Sequence, residues 1–154
     1  MNSSVTKTLY PKDFKPISST YLDGGKAQDI WVIDKIEISG KQLIGYVSMQ
    51  SYYTSKTDGH TFHMSTITGL EIVGQLRIIY LHDYLGLTEK TKEIWFLKGS
   101  ERCIKPIRDH ASIRVLMECS VHFISDQGHI VNMKAKITDE KGGDFQYTAM
   151  VLMK

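Results

Sequence analysis

Residues Gly59–Leu85 read GHTFHMSTITGLEIVGQLRIIYLHDYL. A loop carrying two histidines, His60 and His63, runs directly into the stretch whose apolar residues recur at helical spacing. Ile67, Leu70, Gly74, Ile78, Leu81 and Leu85 follow one another at intervals of three and four, the repeat of one helix face. Val73, Leu76, Ile79 and Tyr80 add apolar character on the other sides, so the expected helix is buried nearly all round. Thr66 or Thr68 is the expected N-cap, and Gly86 the expected stop.

Outward from this helix the chain reads as strand. Before it, Asp29–Ile38 and Gln42–Gln50 are β-rich runs separated by Ser39-Gly40-Lys41, a hairpin signal. The polar segment Ser51–Thr66 is long for a connection inside a compact domain, and such loops often carry function. After the helix, Glu93–Cys103 reads as a strand. Ile113, Val115, Met117, Cys119, Val121 and Phe123 then alternate with polar residues, so one face is dry and one wet. Asp126-Gln127-Gly128 turns the chain, Val131–Ile137 alternates again, Asp139–Gly143 turns it once more, and Phe145–Met153 closes the sheet. The order β-β-α-β-β-β-β is an α+β pattern with one central helix. Residues 1–27 read as an irregular arm, with a short helical turn near Ser18–Leu22; residues 28–154 read as one domain.

Bulk properties exclude several classes. Nineteen basic against seventeen acidic residues give a net charge of +2 and no basic run, so there is no electrostatic footprint for nucleic acid. No run approaches the ~18 apolar residues of a membrane span. The N-terminus lacks an apolar signal core, and Cys103 and Cys119 fit neither a metal spacing nor a disulfide framework. A cytoplasmic protein without metal or cofactor is expected. A Gly-x-Ser-x-Gly elbow, a His-Glu-x-x-His pair, a P-loop and a Rossmann glycine pattern are all missing from the sequence.

Chemistry is therefore sought at the helix entrance. Backbone N–H groups near Gly69 and Leu70, at the positive end of the helix dipole, can hold a developing oxyanion. His60 and His63 precede them, and Glu71 and Gln75 follow one turn apart; each can activate or orient water, or make only local hydrogen bonds. Glu71 can equally pair with Arg77 or sit at an exposed rim. Tyr52 and Tyr53, where a strand enters the loop, can donate to a substrate oxygen or pack beneath the loop. Lys98, Arg102, Lys105 and Arg108 surround Pro106, either as a phosphate-binding patch or as a solvated strand edge.

At these residues the chain resembles the FcoT-type long-chain fatty acyl-CoA thioesterases, a hotdog-fold family found beside isonitrile lipopeptide pathways of secondary metabolism. The similarity covers about two-thirds of the chain, from Tyr52 onward. It rests on Tyr52/Tyr53, His63 and Gln75, on Lys98-x-Ser100-x-Arg102-x-x-Lys105-Pro106-Ile107, and on the Asp139–Gly143 turn. The resemblance implies a hotdog fold, a long antiparallel sheet wrapped around one central helix. It further implies a homodimer or larger homo-oligomer, and hydrolysis of an acyl thioester of coenzyme A or an acyl carrier protein. Tyr53 takes the family's tyrosine position, and the two asparagine positions fall on Ser65 and Gly74. Hotdog dehydratases offer a second comparison: His60 lies nine residues before Gly69, as their histidine lies before a glycine, but their acidic partner falls on Gly74. A 3-hydroxyacyl-thioester dehydratase and a non-catalytic acyl-binding module stand as the alternative functions. A cystatin-like or lipocalin-related barrel is the alternative fold.

Overall fold

The computed structural model describes residues 29–54 and 56–154. The expected N-terminal arm and its helical turn near Ser18–Leu22 lie outside the described residues. Strands β1 (Ile30–Ser39) and β2 (Gln42–Ser51) form the first hairpin, closed through Gly40. A 3-10 turn at Lys56–Asp58 and helix α1 (Thr66–Tyr84) follow. Then come β3 (Ile94–Lys105), β4 (Ile113–Ser125), β5 (Gly128–Asp139) and β6 (Asp144–Met153). The six strands make one antiparallel sheet in the order β1-β2-β4-β5-β6-β3. β3 thus leaves α1 on the far side of the sheet from β2 and becomes an edge.

The alternation in β4, β5 and β6 does what period two requires. Val115, Met117, Val131, Ile137, Tyr147 and Val151 face inward and are buried. α1 lies against that face with Ile72, Val73, Leu76 and Leu81 in the same core cluster. The approach is closest at two glycines. A Cβ on Gly45 of β2 would meet Leu76 at 2.8 Å, and one on Gly69 of α1 would meet the Tyr147 hydroxyl at 2.1 Å. This is the hotdog architecture the sequence implied.

Two expectations need correction. α1 is covered on one side only: Ile67 and Leu70 are exposed, and Glu71 and Gln75 beside them face solvent. The apolar residues scattered around its circumference conceal this, because Ile67 and Leu70 are as apolar as the buried residues beside them. The N-cap is Ser65, one residue before the expected threonines; its Oγ accepts the Thr68 N–H at 3.1 Å. The expected stop is where it should be. Gly86 adopts φ 67°, and the Leu87 N–H closes back on the His82 carbonyl at 2.9 Å. Among the described residues no helix is long and apolar enough to cross a membrane.

Candidate functional site

The helix entrance is built around a residue that sequence reasoning did not single out. Asp29, the residue before β1, accepts the Thr68 hydroxyl at 2.6 Å through Oδ2 and the Tyr53 N–H at 3.2 Å through Oδ1. Ser65 Oγ lies 2.8 Å from Thr68 Oγ1. Thr68 has one hydroxyl proton and gives it to Asp29, so Ser65 donates in this contact. A chain Ser65→Thr68→Asp29 thus ties the first turn of α1 to the start of β1. Asp29 is 39 positions from Thr68, and no local spacing announces the contact.

The donors left over are not those expected. The Gly69 N–H goes to the Ser65 carbonyl at 3.1 Å, and Leu70 lies beyond it inside the helix. A Gly69 side of the helix is also closed by Tyr147, whose hydroxyl donates to the Thr66 carbonyl at 3.3 Å. With Thr68 capped by Ser65, the donors uncommitted among the described residues are the N–H groups of Thr66 and Ile67, the first two helical positions. Cys103 of β3 reaches the Thr66 side chain, bringing the inner face of β3 to the same point; burial raises its pKa, with Glu101 adding to the rise.

The histidine loop is fastened from a distance. His60 is exposed and holds φ 57° in the turn after Gly59. No hydrogen bond or ion pair joins it to Glu71 among the described residues. His63 Nδ1 lies 2.8 Å from Asp58 Oδ2, an ion-pair distance without hydrogen-bond alignment. Asp58 in turn takes a two-pronged contact from Arg108, each N–O distance 3.0 Å. Arg108 therefore anchors the loop and is not free to bind phosphate. Tyr52 packs in an aromatic group, 4.7 Å from Phe62 and 5.1 Å from His110 between ring centres. This is the packing beneath the loop that the sequence offered as one of its two roles.

The connection after β3 is held from the late turn. Asp139 accepts the N–H groups of Arg108 at 2.6 Å, Asp109 at 2.8 Å and Gly143 at 2.6 Å. Its burial alone would raise its pKa, but these backbone donors win and hold it below the usual carboxylate range. Asp58 is held low chiefly by its hydrogen bond to Arg108. Carboxylates with depressed folded-state pKa contribute stability above their unfolded value, and lose it as pH falls through the folded one. Urea midpoints should therefore stay level from neutral pH to about pH 5 and drop below about pH 4. Asp139→Asn should cost about 1–3 kcal/mol at pH 7 and flatten that acid slope. An unchanged slope in the variant would remove Asp139 from the account.

A cavity of about 250 Å³ runs between α1 and β3, lined by Leu70, Val73 and Arg77 of the helix and Phe96 and Gly99 of the strand. Glu71 and Gln75 lie on the exposed flank of α1 beside Leu70, and Gly74 between them has open space above it. Glu71 makes no ion pair with Arg77; six residues apart on a helix, the two point to different sides. Lys98, Arg102 and Lys105 stand elsewhere. They pair with Met150, Gln146 and Asp144 of β6, and cross-strand partners share a face. Phe145, Tyr147 and Val151 face the helix, so these three basic residues lie on the outer face, turned away from the entrance. As a phosphate patch for this site they are misplaced by one step of the strand alternation.

No family model and no curated protein sequence matches the chain. Solved structures do. A mutant of the thioesterase enzyme SAV0944 from Staphylococcus aureus superposes with a TM-score of 0.51 at 10% identity, over 80% of this chain and 93% of that one. The Lactococcus lactis protein yhdA, whose thioesterase assignment is provisional, gives 0.51 at 13% identity, over 79% and 91%. A hot-dog-like protein from Thermanaerovibrio acidaminovorans gives 0.48 at 13% identity, over 79% and 82%. The likeness is one of fold.

Proposed function

We propose that this protein hydrolyses acyl thioesters at the entrance of α1. The observation that carries the reading is a pair of backbone donors at the start of α1, on Thr66 and Ile67, uncommitted among the described residues and about one turn before Leu70, which lines the cavity between α1 and β3. Such donors at a helix start stabilise the oxyanion formed when water attacks a carbonyl. The acyl chain lies between α1 and β3, with the thiol arm of coenzyme A or a carrier protein leading out to solvent. Glu71, one turn along the helix and unengaged by any described residue, is the base that takes a proton from the attacking water; Gln75 orients it. Asp29 has both oxygens occupied and is a positioning residue, holding Ser65 and Thr68 so that the first turn presents its donors.

The resemblance to FcoT-type enzymes supports this reading through Tyr53 and Gln75; His63, turned toward Asp58, holds the loop instead. The departures also bear on it. Ser65 serves as the helix cap and Gly74 has no side chain, so Glu71 takes over work that the family's asparagines imply.

A second copy completes the site in this proposal. Trp95, Phe96 and Leu97 of the edge strand β3 are 58%, 56% and 48% exposed, and Phe96 lines the same cavity as Leu70 of α1. An open strand edge flanked by large apolar groups is the kind of surface that pairs with another strand. Joining two β3 edges would cover the exposed flank of each helix, including Glu71.

The test is thiol release from short, medium and long acyl-CoAs, with sedimentation of the same protein. Release that depends on chain length, from a dimer, is the expected result. A monomer that releases no thiol from any chain or from the corresponding acyl carrier protein would overturn the reading.

A further inference from the structure

Arg77 presents an unanswered charge. It leaves α1 ten residues beyond Ile67, roughly 15 Å along the axis from the donors at the helix start, and only 6% of its surface is exposed. Its Nε is buried without a hydrogen-bond partner, and no described residue forms an ion pair with it. A guanidinium stays protonated. Burying it unpaired is costly, so such a group is normally found with a counter-ion. The neighbouring thiol supplies none, because burial pushes Cys119 up to about 12 and keeps it neutral. Glu101 shares the cavity wall with Arg77 but is not paired with it. Leu70, Val73, Phe96 and Met133 give the wall its apolar part, and Ser100, Tyr147 and Thr148 also line it.

We infer that Arg77 is an anion-binding residue of the acyl cavity, and that the acyl group it receives carries a carboxylate several carbons from the thioester. This rests on the hydrolase reading for the thioester end and on the buried, unpartnered guanidinium for the other. A plain alkyl chain would fill the apolar part and press methylene groups against the charge. A carboxylate at that distance accepts the guanidinium's paired donors and neutralises it. The residue thus selects for an acidic acyl group.

The test has two arms. In the first, kcat/KM is compared for adipoyl-CoA and suberoyl-CoA against hexanoyl-CoA and octanoyl-CoA. Wild type should favour the acidic members by about tenfold or more, and Arg77→Met should bring the ratio of acidic to neutral kcat/KM to about one. In the second, calorimetry compares octanoate with octanamide; only octanoate should bind, and Arg77→Met should lose it. Equal kcat/KM for acidic and neutral thioesters would overturn the inference and leave the hydrolase standing. Arg77-dependent octanoate binding without hydrolysis of any thioester would uphold the anion site and overturn the hydrolase. Should Arg77→Met dissociate the dimer while wild type shows no preference, the counter-ion is a carboxylate of the second copy, and the inference fails. If Arg77→Met does not fold, the wild-type preference and Arg77→Lys, which keeps the charge, decide it.

Discussion

Replacing Glu71 with Gln is expected to lower kcat for thioester hydrolysis by roughly 10²–10³-fold with little change in KM. The size follows from what the substitution removes. Gln has nearly the shape of Glu and the residue is exposed in the single chain, so the fold should not notice it. What is lost is a proton acceptor needed only in the transition state, and such a loss falls on kcat. Two controls separate this role from its neighbours. His63→Ala should keep most of the activity, since His63 is turned toward Asp58 at 2.8 Å, and should instead loosen the loop. Asp29→Asn leaves an oxygen to accept the Thr68 hydroxyl, so it should reduce activity less than Glu71→Gln does. If Asp29→Asn abolishes hydrolysis while Glu71→Gln is harmless, the base is Asp29 and the proposed roles are reversed. Assaying the variants as dimers matters, because in the proposal a second copy covers Glu71.

How far the sequence was legible follows from the range of each interaction. Strands β4, β5 and β6 were readable because one inward face repeats every second residue, and the burial of Val115, Met117 and Ile137 obeys it. The end of α1 was readable because Gly86 must adopt a positive φ there. The helix cap falls one residue before Thr66 and three before Thr68: Ser65, Thr66 and Thr68 all have capping hydroxyls, and local chemistry does not choose among them. Contacts of long range were invisible. Nothing near Asp29 announces Thr68, and Asp58 meets Arg108 across 50 positions. Arg108 accordingly looked like one of four phosphate ligands, when its real partner is a carboxylate in the histidine loop. Lys98, Arg102 and Lys105 cluster in sequence but share the outer face, a distinction set by the register of β3 on β6. The exposed flank of α1 was unreadable for another reason. Ile67 and Leu70 are as apolar as the core residues beside them, and composition alone does not tell which side of the helix the sheet covers.

The two glycines of α1 should respond to alanine with opposite signs. In an exposed or open helical position Gly→Ala stabilises by about 0.5–1 kcal/mol, because alanine has less backbone freedom to lose. Gly74 is such a position: nothing lies within 4 Å of where its Cβ would be. Gly74→Ala should therefore raise the unfolding free energy by about that amount. At Gly69 the new methyl would sit 2.1 Å from the Tyr147 hydroxyl and 3.0 Å from Cζ, inside any permitted contact. Tyr147 cannot swing away cheaply. It is 4% exposed, and its hydroxyl is held by the Thr66 carbonyl. Overpacking of this kind costs about 1–3 kcal/mol and outweighs the helical gain. It also displaces the first turn, where Thr66 and Ile67 present their donors, so Gly69→Ala should lose activity as well as stability. Tyr147→Phe removes the offending oxygen. In a double-mutant cycle it should recover part of the Gly69→Ala loss, giving a coupling of about 1 kcal/mol. If Gly69→Ala and Gly74→Ala both stabilise the protein, α1 does not press against Tyr147, and the account of the helix entrance built on that contact fails with it.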